Sequence, residues 1–300
     1  AHLDPPAKDS GAASGPGDRG TVHRPAAPVP SRDPASTVDL FSAETAAALA
    51  EILGLLGDRL SPELAWRLRD QVRRRVLDQF TTPPVSQDAI WSWETATHNW
   101  AAVCGGSVGI AALWLVDDRV ELQQVLARVG GALESYLSGF APDGICQEGM
   151  GYWTYGFGYF LAFAELLRER SGGRLDLLGH PELRPRLSAI AAFPAACRIG
   201  LSSFARFSDA PDEFRYPPGI LCRLASRLDG VPLPPPGLAE ALADDPCARF
   251  SRHLRDLVWL DPGRLGNSRE AENPPASPDS PFPGETWTGA DSRWFPDAQW

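Results

Sequence analysis

NWAAVCGGSVGIAALWL, residues Asn99 to Leu115, is the segment whose reading decides the fold. It reads as a very apolar helix. Its small residues Ala101, Ala102, Gly105, Gly106 and Gly109 let a neighbouring helix or a ligand approach the backbone closely. Outward in both directions the pattern stays helical. Asp117 and Asp118 cap a next helix over residues 120–137, and a further one runs over 152–170. Upstream, Ala46, Leu49, Ile52, Leu53 and Leu56 recur at three- and four-residue spacing, an apolar stripe that Gly57 and Asp58 end. Ser61, Pro62 and Glu63 open a second helix that runs to about Phe80, with a capping hydroxyl, a first-turn proline and a carboxylate at the positive end. Its Arg67, Arg69, Arg73, Arg74 and Arg75 read as a solvated outer face. Shorter helices are expected over 181–197, 217–228 and 237–258, and no convincing alternating strand occurs before residue 285.

The expected fold class is therefore all-α. Antiparallel helix pairs joined by short loops suit an incomplete (α/α) toroid, whose inner helices present residues to a central cleft. The rival, a helical solenoid, would need a sequence period that the chain does not show. Residues 1–36, rich in Pro, Ala, Gly and Ser, cannot bury enough apolar surface to order themselves and read as linker. The helical domain spans 37–262, a second Pro- and Asn-rich linker spans 263–285, and 286–300 reads as the entry strand of a separate β domain. The chain opens without an initiator Met or a signal peptide and stops just after that aromatic segment begins, so both ends read as cut from a longer polypeptide.

The 300 residues are 43% apolar and 22% charged, enough to bury a real core. A net charge of −10 argues against a nucleic-acid partner. It also weighs against a polyanionic ligand unless a local cationic pocket overrides the global field. No run of eighteen apolar residues occurs, so no membrane span is expected. Cys104, Cys146, Cys197, Cys222 and Cys247 are dispersed, with no CxxC pair and an odd count, which fits free buried thiols better than a disulfide framework or a zinc site. Ten Trp stand against one Met, and a rigid flat ring suits stacking on a sugar as well as filling space between helices.

Chemistry concentrates in two clusters. Thr97, His98, Asn99 and Trp100 open the apolar helix. DGICQEGMGYWTYG, from Asp143 to Gly156, packs two carboxylates, four glycines and three aromatic rings into fourteen residues. Tyr, Asn and His rimmed by Trp suit a site that holds a sugar and moves a proton. Lys and Arg are scarce there, which disfavours a phosphate reader. Each residue also has a plainer reading: Asn99 as a helix cap, Glu148 as the anchor of a turn, the Trp and Tyr side chains as helix packing.

The segments THNWAAVCGGSVGIAAL (97–113), YLSGFAPDGICQEGMGYWTYGFGYF (136–160), FARFSDAP (204–211) and SRWFPDAQW (292–300) occur in the order found in heparinase II/III-like polysaccharide lyases, which the chain resembles over roughly residues 38–300. The resemblance implies an N-terminal α/α toroid followed by an antiparallel β-sandwich. The implied reaction is β-elimination at a uronic acid of an acidic polysaccharide, with no cofactor and no metal in the chemical step. It matches Asn99 to the carboxylate-neutralising amide and Tyr152 to the catalytic tyrosine, with Tyr155 as the fallback and His98 as a supporting group. Trp100, Trp153, Trp93 and Trp91 become candidate sugar platforms, Glu148 a structural or substrate-contacting carboxylate, and Arg206 the cation that lowers the tyrosine pKa. A periplasmic or extracellular setting is implied by the same likeness, with the cytoplasm left open.

Two departures stand out. Many relatives read Asn-Trp-Asn where this chain has Asn99, Trp100 and Ala101, and the further catalytic His of the family lies in the β-sandwich, beyond residue 300. The 300-residue chain alone is accordingly expected to be inactive or severely impaired. Two other functions stay open. One is a non-catalytic glycan-binding or scaffold domain. The other is a glycoside hydrolase, which would need two carboxylates flanking the cleft, Glu148 and Asp143 being the best pair.

Overall fold

A computed structural model describes residues 38–81, 91–199, 204–210, 214–241, 244 and 249–266. All of them belong to the second of two units, Ala1–Pro34 and Ala35–Trp300, into which the chain divides. The residues read as an N-terminal linker and as a β entry strand, together with Cys247, lie outside the described residues.

The described chain is mostly helical, and among the described residues only two isolated β-bridges occur, Arg198 with Phe204 and Tyr216 with Ala239. Helix α1 spans Leu40–Leu56 and starts at a reciprocal cap: Asp39 Oδ1 accepts from the Ser42 N–H at 2.8 Å, while the Asp39 N–H donates to Ser42 Oγ at 2.9 Å. The second helix, read as one piece, is built in three. α2 spans Pro62–Val72, a π-helical turn follows over Arg73–Leu77, and α3 spans Asp78–Thr81. Val72, Val76, Leu77 and Phe80 face the core, while Arg67, Arg69, Arg74 and Arg75 are exposed.

Helix α4, Asn99–Leu115, is buried on nearly every side and packs against α1, against α5 (Arg119–Ser138) and against α6 (Met150–Arg170). Its small residues explain how three neighbours fit. A Cβ on Gly106 would lie 2.9 Å from the carbonyl oxygen of Tyr159 on α6, and one on Gly109 would lie 2.4 Å from the Phe163 ring. On the other flank, α1 offers Ala43, Ala46, Ala47 and Ala50, all buried. Leu40–Arg59 reaches, at a mean hydropathy of 1.4, the length and apolar character that a membrane crossing needs. In this fold Ala43, Ala46, Ala47 and Ala50 are buried along one face of it, while Phe41, Leu55 and Leu56 are exposed.

The remaining helices are α7 (Arg184–Ala196), α8 (Pro218–Arg227), α9 (Phe250–Trp259) and α10 (Pro262–Gly266). Of the helix expected over 237–258, the described residues are helical from Phe250 onward; ahead of them stands a short 3-10 turn, Pro236–Leu238. Pro234, Pro235, Pro236 and Gly237 oppose a helix there, since proline lacks the N–H and glycine loses the most backbone entropy. At the other end α10 carries helix past 262, where a linker was expected.

Trp93 is 3% exposed, its Nε1–H donates to the Val38 carbonyl at 2.9 Å, and its ring stacks on Phe80 at a centroid distance of 5.9 Å. Trp153 is fully buried and donates to the Ile190 carbonyl at 2.9 Å. Trp91 is buried as well. All three are core residues, because a ring enclosed by protein has no face left for a sugar. Cys104, Cys146, Cys197 and Cys222 are buried thiols, not disulfides. Burial pushes the Cys146 thiol up to about 12 and the Cys104 thiol higher, which leaves both without thiolate character at neutral pH.

Candidate functional site

The first turns of four helices meet around one cavity of about 570 Å³. α1 supplies Leu40, Phe41 and Glu44, α4 supplies Asn99 and Trp100, α6 supplies Tyr152, Tyr155 and Tyr159, and α9 supplies Phe250 and Ser251 with Arg249 at its cap. Helix N-termini carry partial positive charge, so the starts of four helices bordering one space bias it toward negative ligands. Two of these ends carry carboxylates, Asp39 at α1 and Glu148 at α4, whereas α6 and α9 begin without a side-chain cap.

Asn99 is 3% exposed and held from below. Its backbone N–H donates to Glu148 Oε2 at 3.1 Å and its Nδ2 donates to Glu148 Oε1 at 2.8 Å, so one carboxylate fixes both the helix start and the amide. Among the described residues the side-chain Oδ1 of Asn99 is buried without a hydrogen-bond partner, as is the Tyr136 hydroxyl on α5. A Cβ on Gly156 would lie 2.8 Å from that hydroxyl and 3.1 Å from Asn99 Cβ, so glycine is what lets α6 approach α4 here. The Glu148 loop reaches this position through Gly149, whose φ of 87° and ψ of 179° lie in a region open essentially to glycine alone.

Three tyrosines recur along α6 at positions 152, 155 and 159, one helical face. Tyr155 Oη donates to Glu44 Oε1, and the Arg249 guanidinium lies 4.5 Å above its ring centroid. Burial first, and then the charge of Glu44, pushes the Tyr159 phenol well above its ordinary range, while Arg249 and Arg255 pull against them.

A second chamber of about 450 Å³ shares Tyr152, Tyr155, Tyr159, Arg249 and Ser251 with the first, so the two are parts of one cleft. Arg215, Arg252 and Arg255 extend its wall, facing Asp209, Glu240 and Asp244. Arg252 pairs with Glu240, and buried Arg255 donates to Glu51 Oε1 at 2.5 Å.

The structure thus brings Asn99, Tyr152, Tyr155 and Trp100 to one cleft. His98 lies outside both chambers: it is the exposed N-cap of α4, its Nδ1 accepting from the Trp100 N–H at 3.5 Å. Arg206 is also exposed and lines neither chamber, while the Arg249 guanidinium covers the Tyr155 ring. Glu148 serves the amide rather than the open cleft. Glu44, Tyr159, Arg249, Arg252 and Arg255 were not foreseen. The signal for the arginines was their spacing of three, which puts Arg249, Arg252 and Arg255 on one face.

Among the described residues no three His, Cys, Asp or Glu side chains gather closely enough to ligate a metal ion. Chemically, the cleft offers an amide oriented by a carboxylate, three phenol hydroxyls, and guanidinium groups of which Arg249, Arg252 and Arg255 are paired with carboxylates of the protein itself. No protein-family model matches the chain, and no curated protein matches it in sequence.

Proposed function

We propose that this chain is the α/α-toroid part of a polysaccharide lyase, acting on a uronic-acid-containing glycan by β-elimination. One observation carries the reading: Asn99, Tyr152 and Tyr155 border a single cleft whose walls also carry Arg215, Arg249, Arg252 and Arg255, set among the carboxylates Glu44, Asp209, Glu240 and Asp244.

In the proposed reaction the substrate carboxylate lies against the Asn99 amide and the Arg249 guanidinium. These stabilise the charge that develops when the C5–H bond breaks. Tyr152 acts as the base that takes that proton, the electron pair forms the C4–C5 double bond, and the C4–O bond breaks. The leaving oxygen then receives a proton from Tyr152, so the residue ends as it began. The resemblance assigns a further catalytic His to a β-sandwich beyond residue 300, and the protein to assay is the polypeptide extended through it.

The test is a panel of heparin, heparan sulfate, hyaluronan, chondroitin and alginate, followed by the ultraviolet absorbance of the unsaturated uronate product. A rise is expected on at least one polymer. Tyr152→Phe should lower kcat by roughly 10²–10⁴-fold and Asn99→Ala by roughly 10²–10³-fold. A flat trace on every polymer overturns the proposal. Retained glycan binding would then favour a non-catalytic glycan-binding domain, a reading supported by the Asn99 amide and the Tyr155 hydroxyl both being engaged by carboxylates of the protein itself.

A further inference from the structure

Glu44 on α1 attracts no notice in the sequence, yet it sits at the centre of the polar cluster of the cleft. Its side chain is 17% exposed, its Oε1 accepts from Tyr155 Oη, and its Oε2 lies 3.6 Å from Arg249 Nε. Arg249 in turn covers the Tyr155 ring. Carboxylate, guanidinium and phenol therefore close on one another, with each held by the other two. The charged and titratable groups facing this cluster are Glu44 from α1, Arg249 and Arg255 from α9, Tyr159 from α6 and the Cys104 thiol from α4.

We propose that Glu44 is the positioning residue of the cleft, engaging the Tyr155 hydroxyl proton in a hydrogen bond so that Tyr152 is left to exchange protons with the substrate. A hydroxyl has one proton, and a phenol that donates to a carboxylate presents only its lone pairs and its ring to a ligand. A carboxylate at hydrogen-bond distance also opposes the formation of a second negative charge on the phenol. Tyr155 is thereby a neutral acceptor, and the Arg249 guanidinium over its ring offsets the charge of Glu44. The inference takes its catalytic meaning from the lyase reading, but the Glu44–Tyr155 interaction can be measured without any turnover.

With five tyrosines in the chain, ¹³Cζ-tyrosine labelling gives a spectrum whose signals can be assigned by single Tyr→Phe substitutions. In Glu44→Gln the Tyr155 signal is expected to shift at neutral pH, and its titration midpoint to fall by about one pH unit or more. Glu44→Asp, which keeps the charge, should recover most of the wild-type midpoint. Arg249→Gln should move it the opposite way, an arm that survives if Glu44 variants fold poorly. A Tyr155 signal that superimposes on wild type in Glu44→Gln, or a Tyr152 signal that moves more than Tyr155, overturns the proposal. A wild-type protein that cleaves no uronate polymer overturns the lyase reading alone, while the spectrum still decides the role of Glu44.

Discussion

Glu148 shows how a single side chain can serve fold and site together. Its two oxygens accept from the backbone N–H and the side-chain amide of Asn99. Without them the first turn of α4 would lose a partner for a buried donor, and the amide would lose its orientation. Glu148→Ala is therefore expected to cost about 1–3 kcal/mol of stability in chemical denaturation. In the uronate assay it should impair turnover beyond what that loss of folded protein explains. Full activity in a correctly folded Glu148→Ala protein would show that the amide is positioned by something else. The motif around it obeys the same logic, since Gly149 adopts a conformation a side chain would forbid and so aims the carboxylate.

At the scale of elements, α4 governs the fold because it can be approached from three directions. The contact of Gly106 with the Tyr159 carbonyl is a firm constraint on where α6 lies, since the obstructing atom is backbone and cannot rotate away. Gly106→Ala should therefore destabilise the protein by about 1–3 kcal/mol through forced separation of α4 and α6. It should also displace Tyr152 and Tyr155 from Asn99, lowering glycan affinity. Thermal unfolding and a binding titration read the two effects separately. Gly130 on α5 is the contrast: a Cβ there meets nothing within 4 Å, so Gly130→Ala should be harmless.

For the whole molecule, α9 closes the cleft onto α1 through an ion pair between residues far apart in the chain. Arg255 and Glu51 have side-chain exposures of 8% and 5%. Removing one partner of such a pair strands the other charge in a low-dielectric interior. Arg255→Ala should thus cost about 3–5 kcal/mol in denaturant unfolding. The double change Arg255→Met with Glu51→Leu should recover much of it, since apolar residues of similar volume often replace a buried pair without loss. A loss as large in the double variant as in Arg255→Ala would place the stabilisation in the charges themselves.

The sequence by itself determined that this chain is helical. Period, caps and small residues are local properties, and they placed the helix Asn99–Leu115 at both ends. The same local signals placed Tyr152 and Tyr155 in one helix and Asn99 at a helix start. Burial belongs to tertiary structure: Trp93 and Trp153 have the composition of a sugar platform, but both were spent on the core once the helices packed. Pairing across the chain belongs there too. Glu44 lies 111 positions from Tyr155, and Glu51 lies 204 from Arg255. No periodicity encodes a contact at such a separation; it exists only when α1, α6 and α9 are brought together around α4.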